Sequence, residues 1–224
     1  MLRQLNQGTA VAPAVPDLEA LAELGSRQGL AAGLGAVLAA VDLPSAAPAG
    51  FAAVPTDLVR TDPAWAGAVV VPHGIVEAER VTVLRLPPSP AGPRAGFGPG
   101  LVGERSAALA AVRLGVLTAM LGQAVRHLAG RTAAGTPLID KQLVSGAVAN
   151  LFAEAEEIRA GLEASVRPPG RESAAPAAAH DRLSELGWEL TALFGASGYL
   201  RDHPARSLYV SETVANIWIV GGGQ

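Results

Sequence analysis

Arg131-Thr132-Ala133-Ala134-Gly135-Thr136-Pro137-Leu138, followed by Gln142, is the stretch on which the reading of the fold turns. It separates two long segments with different helical signatures. Upstream, Ser106 to Gly130 carries almost no polar residue beyond Arg113, Gln123, Arg126 and His127. A helix apolar on most sides predicts burial by several neighbours. Gly130 fits a helix stop just before the Arg131 turn. Downstream, Pro137 to Val166 gives the clearest helical pattern of the chain. Val144, Val148, Leu151, Ala155, Ile158 and Leu162 recur at alternating spacings of four and three, and Glu154, Glu157 and Glu163 fall on the solvent side.

Working outward toward the C-terminus, Pro168 and Pro169 stop that helix, and Arg167 to Ala179 reads as a low-complexity linker. A third helix is predicted over Asp181 to Phe194, with Leu183, Leu186, Leu190 and Leu193 as its apolar stripe. It runs into Leu193-Phe194-Gly195-Ala196-Ser197-Gly198-Tyr199. A fourth is predicted to start at Asp202-His203-Pro204, where the aspartate can cap and the proline can occupy the first turn. It should end near Ile219, before Gly221-Gly222-Gly223. Four helices in residues 101–224 make a four-helix bundle the expected architecture.

The region before the bundle has a different texture. Residues 1–48 predict a short helical segment: Asp17 can cap a helix through Leu18, Leu21 and Leu24 to Val41, with a break expected near Gly25 or Ser26. Asp42-Leu43-Pro44 ends it. Residues 49–100 are rich in proline and glycine and hold two strand patterns, Ala66 to Val71 and Arg80 to Leu86. One or two hairpins fit there, and Pro87, Pro88, Pro90 and Pro93 form a stiff connector. The predicted fold class is therefore mainly α, a bundle preceded by a reduced helical and β segment.

Composition narrows the functional classes. Half of the residues are hydrophobic but only 4% are aromatic, so alanine, valine and leucine carry the core, which suits close-packed helices. The net charge of -3 provides no field directed at nucleic acid or anionic lipid. With no cysteine, thiolate chemistry and disulfides are excluded, and the four widely spaced histidines form no metal-ligand pattern. The apolar run from Gly29 to Val41 is shorter than the ~20 residues a membrane span needs. A cytoplasmic protein without a membrane segment is the expectation.

The turn motifs, in their order and on helical segments, resemble the C-terminal helical domain of flavin-dependent acyl-CoA dehydrogenases. Arg131, a glycine four residues on at Gly135, and Gln142 seven beyond that reproduce the spacing by which the family joins two long helices. The resemblance implies that Arg131 contacts the pyrophosphate of FAD and that Gln142 lies near its adenosine half. A guanidinium fork matches phosphate oxygens, and a glycine lets backbone approach a ligand. Where relatives carry an aromatic residue this chain has Ala134. The Gly195-x-x-Gly198-Tyr199 element resembles the family's glycine turn, which receives FAD from a neighbouring subunit, so a homo-oligomer or a hetero-oligomer with another dehydrogenase subunit is implied. The likeness covers about Gly103 to Gly223.

The family reaction, an oxidation of a CH–CH bond in fatty acid metabolism, removes a proton α to the thioester carbonyl of an acyl-CoA or acyl-carrier substrate. Its base is a carboxylate in an apolar pocket. The usual position after the last helix reads Ile217-Trp218-Ile219-Val220-Gly221-Gly222-Gly223 and contains no acid. A minority of members, resembling the isovaleryl- and long-chain-specific enzymes, use a Glu-Arg pair early in the first bundle helix. Glu104-Arg105 stands there, with Gly222 or Gly221 as the accompanying small residue. A glutamate in a first helical turn also satisfies the helix dipole without catalysis. The segment preceding the bundle is too short for the family's other two domains, and no flavin-covering Trp strand is recognisable. Three readings follow: a dehydrogenase holding FAD at a subunit interface, with an electron-transfer flavoprotein as possible acceptor; a non-catalytic partner that completes the FAD site of a full-length dehydrogenase; or a helical-bundle interaction protein without flavin.

Overall fold

A computed structural model describes residues 17–41, 47, 50–87, 103–166 and 174–219. In chain order the elements are α1 (Leu18–Gln28), α2 (Leu30–Leu38), β1 (Phe51–Pro55), α3 (Thr56–Thr61), β2 (Val69–Val71), α4 (Gly74–Glu77), β3 (Val81–Arg85) and α5 (Gly103–Ala129). A small hairpin follows, β4 (Thr132–Ala133) with β5 (Thr136–Pro137), and then α6 (Gln142–Ser165), α7 (Ala175–Leu193) and α8 (Arg206–Ile219). Short 3-10 turns occupy Pro63–Trp65, Leu138–Asp140 and Gly195–Tyr199. The architecture is mainly helical, as the sequence predicts.

α5 is the axis. Its residues from Ser106 to Leu117 are buried without interruption, so no face is left for water. α6, α7 and α8 cover it on one side, and α1 and α2 on the other. Its length and mean hydropathy of 1.6 would suffice for a membrane span, but here that apolar surface is the centre of the core. A single cluster of buried side chains runs from Leu18 and Leu34 through Leu109 and Leu121 to Leu186 and Trp218.

The contact of α1 with α5 is made at backbone distance. A Cβ on Gly115 would lie 1.9 Å from the Ala22 carbonyl oxygen, and a Cβ on Gly25 would lie 2.4 Å from that of Val112. Neither helix can carry a side chain there. Close approach of this kind brings many atoms into dispersion contact at once. Gly25, which weakens the helical pattern of α1, is thus used for packing.

A three-stranded antiparallel sheet, ordered β1-β3-β2, caps the side of the molecule near α2 and α8. Ala53 pairs with Val83, and Val71 pairs with Val83 from the other edge. The Trp218 indole Nε1 of α8 donates to the Ala53 carbonyl at 3.1 Å, which fastens the sheet to the bundle.

Among the described residues the core contains one charged group. Arg113 on α5 is only 2% exposed. Its Nε donates to Ser211 Oγ of α8 at 3.0 Å, and one terminal nitrogen donates to Ser184 Oγ of α7 at 2.8 Å. The other donates to the His180 carbonyl at 3.1 Å and to His180 Nδ1 at 2.9 Å. Arginine has no acceptor, so Nδ1 must be unprotonated. The proton then sits on Nε2, which donates to the Ser106 carbonyl at 3.1 Å. Burial, and next the Arg113 charge, push His180 down to about 3, and burial pulls Arg113 to about 10. This network fixes α7 and α8 on α5 by direction as well as by area.

The structure corrects several boundaries. The break between α1 and α2 falls at Gly29 (φ 84), not near Gly25 or Ser26, because only Gly29 takes the left-handed conformation while Gly25 is held helical against α5. Strand β1 had no strong sequence signal, since Ala52 and Ala53 lack β-branching; the result is a three-stranded sheet. The strand expected from Ala66 shrinks to Val69–Val71 because Pro63–Trp65 winds as a 3-10 turn. The helix expected from Pro137 begins at Gln142, and that expected from Asp181 begins at Ala175, within the expected linker. α8 starts at Arg206 and Asp202 is not its cap; the His203 Nδ1 takes the Ala205 N–H instead, at 3.1 Å. Glu154, placed on the solvent side, is half-buried and paired with Arg182 of α7.

Two predictions follow from this packing. Gly115→Val should lower stability by about 3 kcal/mol or more in urea unfolding, while Gly146→Ala, with open space at its Cβ, should be neutral or raise it by up to about 1 kcal/mol. Equal effects at the two positions would contradict the close approach. The second concerns pH. Below pH 6.5 the unfolded chain takes up a proton that folded His180 refuses, so its contribution is complete above 6.5 and drains as pH falls toward 3. The melting temperature should therefore decline less steeply from pH 6.5 to 3 in His180→Gln than in the parent; parallel curves would refute this.

Candidate cofactor half-site

The Arg131 turn is a hairpin. Thr132 pairs with Pro137 and Ala133 with Thr136. Ala134 (φ 54) and Gly135 (φ 78) occupy the two central positions, both left-handed, as a two-residue type I′ connection requires. An alanine in that region is disfavoured by roughly 1 kcal/mol. The Leu138 N–H donates to the Arg131 carbonyl at 2.7 Å, which folds the chain back so that Gln142 opens α6 on the same side. Arg131, Gly135 and Gln142 are all exposed. Nothing lies within 4 Å of a Cβ built on Gly135.

The second element ends α7. Gly195 (φ 63) turns the chain, also with open space at its Cβ position. Gly198 differs: a Cβ there would lie 2.5 Å from the Thr191 carbonyl oxygen, so it is the packing glycine of the turn. Three rings join this turn to the end of α5. His127, in the last turn of α5, has its ring centroid 5.3 Å from that of Phe194, and Phe194 lies 4.7 Å from His203. Burial, with His127 and Arg206 nearby, holds His203 below its ordinary pKa. The hairpin with Arg131 and Gln142 and the Gly195 turn thus lie at one end of the bundle.

Glu104 lies at the other end. α5 is 27 residues long, which at 1.5 Å per residue separates Glu104 from Arg131 by roughly 40 Å. α8 runs antiparallel to α5, with Ser211 on Arg113 and Ser207 beside Met120. Its last residue, Ile219, therefore returns to the level of Glu104. Gly222 lies outside the described residues. Glu104 is exposed, and among the described residues none of the main cavities is lined by Glu104, Arg131, Gln142 or Gly195. One cavity does touch a predicted residue: Gly198 and Tyr199 line a groove between α7 and α8 with Trp188, Arg201, Tyr209 and Glu212.

The family described as "Acyl-CoA dehydrogenase, C-terminal domain" matches residues 100–222, more than half of the chain. The chain belongs to this family. Solved structures agree on the fold. A variant of the Tcur3481-Tcur3483 steroid ACAD is similar at 23% identity over 70% of this chain and 45% of that one, with a TM-score of 0.51. The ChsE4-ChsE5 complex from Mycobacterium tuberculosis is similar at 21% identity over 70% and 46%, with a TM-score of 0.50. Butyryl-CoA dehydrogenase from Megasphaera elsdenii is similar at 17% over 78% and 46%, also at 0.50. The chain spans less than half the length of these structures. A comparison with curated protein sequences gives no match.

Reading the sequence missed two features. The Arg113–His180 network was detectable only as a lone arginine in an apolar helix, with no sign of its partners. The groove beside Gly198 had a compositional signal: both tyrosines and one of three tryptophans fall between Trp188 and Tyr209.

Proposed function

We propose that this chain is an acyl-CoA dehydrogenase-like flavoprotein subunit whose bundle end, bearing Arg131, Gln142 and the Gly195 turn, grips the dinucleotide part of FAD against a second polypeptide. The observation that supports this most is the His127–Phe194 contact, which brings two turns far apart in sequence to one end. The donor set suits a dinucleotide: a guanidinium for pyrophosphate, an amide for adenosine, and exposed turns without side chains at Gly135 and Gly195. Among the described residues none of the main cavities encloses these groups, which is the form expected of a half-site.

FAD, when bound, supplies the acceptor for hydride from the acyl β carbon. The task assigned to this chain's own residues is the proton. Glu104, at the opposite end, is proposed as the base that takes the α proton of an acyl-CoA or acyl-carrier thioester. The roughly 40 Å between Glu104 and Arg131 means that one chain would serve two different cofactor sites. An exposed Glu104 also supports a second reading, a partner subunit without turnover, because the apolar pocket a catalytic carboxylate needs would have to come from elsewhere. That reading fits the similarity to the Tcur3481-Tcur3483 and ChsE4-ChsE5 structures, each named for two polypeptides.

Absorbance of the purified protein separates the readings. Flavin retained by the chain alone supports the dehydrogenase, flavin retained only on co-expression with a full-length dehydrogenase supports the partner subunit, and flavin in neither sample rejects both. Where flavin is retained, Arg131→Ala should weaken it about tenfold or more. In an active assembly, Glu104→Gln should abolish turnover and leave the flavin bound; surviving turnover would remove Glu104 from the mechanism.

A further inference from the structure

The groove between α7, the Gly195–Tyr199 turn, α4 and α8 has a volume of about 170 Å³. In a chain that is 4% aromatic, both tyrosines and one of three tryptophans line it. Trp188 is 48% exposed, Tyr199 60%, Leu200 63% and Tyr209 39%. These are four of the nine large apolar side chains that are exposed among the described residues. Apolar surface gathered around one concavity marks a binding surface, whereas scattered exposed residues do not.

One cation at the groove has no ion-pair partner among the described residues. Arg206 is neutralised by Glu79, Nε to Oε1 at 2.7 Å. Arg201 lies against the backbone of Gly74, where a Cβ would meet its guanidinium, and has no carboxylate within ion-pair distance among the described residues. Ser184 forms part of the wall, and directly behind it the buried Arg113 guanidinium donates to its hydroxyl at 2.8 Å, itself without a contacting carboxylate. Opposing these is Glu212, also in the lining. Glu212 and Asp181 both oppose the Arg113 charge, which leaves Arg201 as the unpaired cation beside the aromatic surface.

We propose that this groove binds a small ring-bearing monoanion, an aromatic or alicyclic carboxylate. The ring packs among Trp188, Tyr199 and Tyr209, and the carboxylate pairs with Arg201. The volume suits one ring, since a cavity of about 150 Å³ holds benzene. Planar carboxylate recognition is what an available guanidinium does best. None of the residues of the Arg131–Gln142 hairpin line the groove, which shares only Gly198 and Tyr199 with the glycine turn, and the proposal does not rest on FAD binding.

Indole N–H resonances of the full chain provide the test, because Trp65 and Trp218 are buried and only Trp188 faces solvent. Titration with benzoate should shift the Trp188 resonance saturably and leave the other two in place. Benzamide, the neutral analogue, should bind about tenfold more weakly, as should benzoate to Arg201→Gln. Glu212→Gln should tighten benzoate binding, since it removes the opposing charge. Arg201 is exposed, so its replacement tests charge without disturbing the core. Absence of a saturable Trp188 shift, equal affinity for benzoate and benzamide, indifference to Arg201→Gln, or tighter binding of benzylammonium would each overturn the proposal.

Discussion

The structure depends on one constraint: α5 from Ser106 to Leu117 is buried on every side and has to be covered on every side. A helix with a single apolar stripe can rest on one layer. α5 cannot, so α6, α7 and α8 pack against one part of its circumference, and α1 and α2 against the rest. The closeness of the α1 contact follows from glycine at both crossing positions, Gly25 and Gly115. The Arg113 network then removes the freedom that uniform apolar packing would leave. Its hydrogen bonds are satisfied only when His180, Ser184 and Ser211 arrive together, so α7 and α8 have one position on α5.

The same helix determines where chemistry can happen. Elements attached to its ends are held apart by its length. Arg131 and the Gly195 turn meet at one end through the His127–Phe194 pair, while Glu104 and the end of α8 belong to the other. No rearrangement of loops within a chain could bring Glu104 and Arg131 onto one dinucleotide. The chain spans less than half the length of the solved structures it resembles, and the proposed cofactor site is one shared with other polypeptide surface.

Much of the bundle was legible because its signals are local and redundant. The four-and-three spacing of α6 and the Leu183–Leu193 stripe of α7 each specify a helix without reference to anything else. What escaped depends on distant partners. β1 is a strand because β3 pairs with it and Trp218 anchors Ala53, neither of which Phe51–Pro55 announces. Gly29 and Gly25 look alike in sequence, but α5 holds one helical and leaves the other free to turn. At α8, an aspartate and a proline in the expected order gave way to a histidine ring that satisfies the Ala205 N–H. In the candidate half-site, the Arg131, Gly135 and Gln142 spacing carried the family resemblance, yet their common end with Gly195 became visible only through the ring contacts of His127, Phe194 and His203.

Sedimentation velocity followed at flavin wavelengths tests the central claim most directly. If the terminal hairpin and glycine turn form half of a shared cleft, bound flavin will travel only with species containing at least two polypeptides, and dilution that separates them will release it. Flavin travelling with a single 22.6 kDa chain would contradict the account.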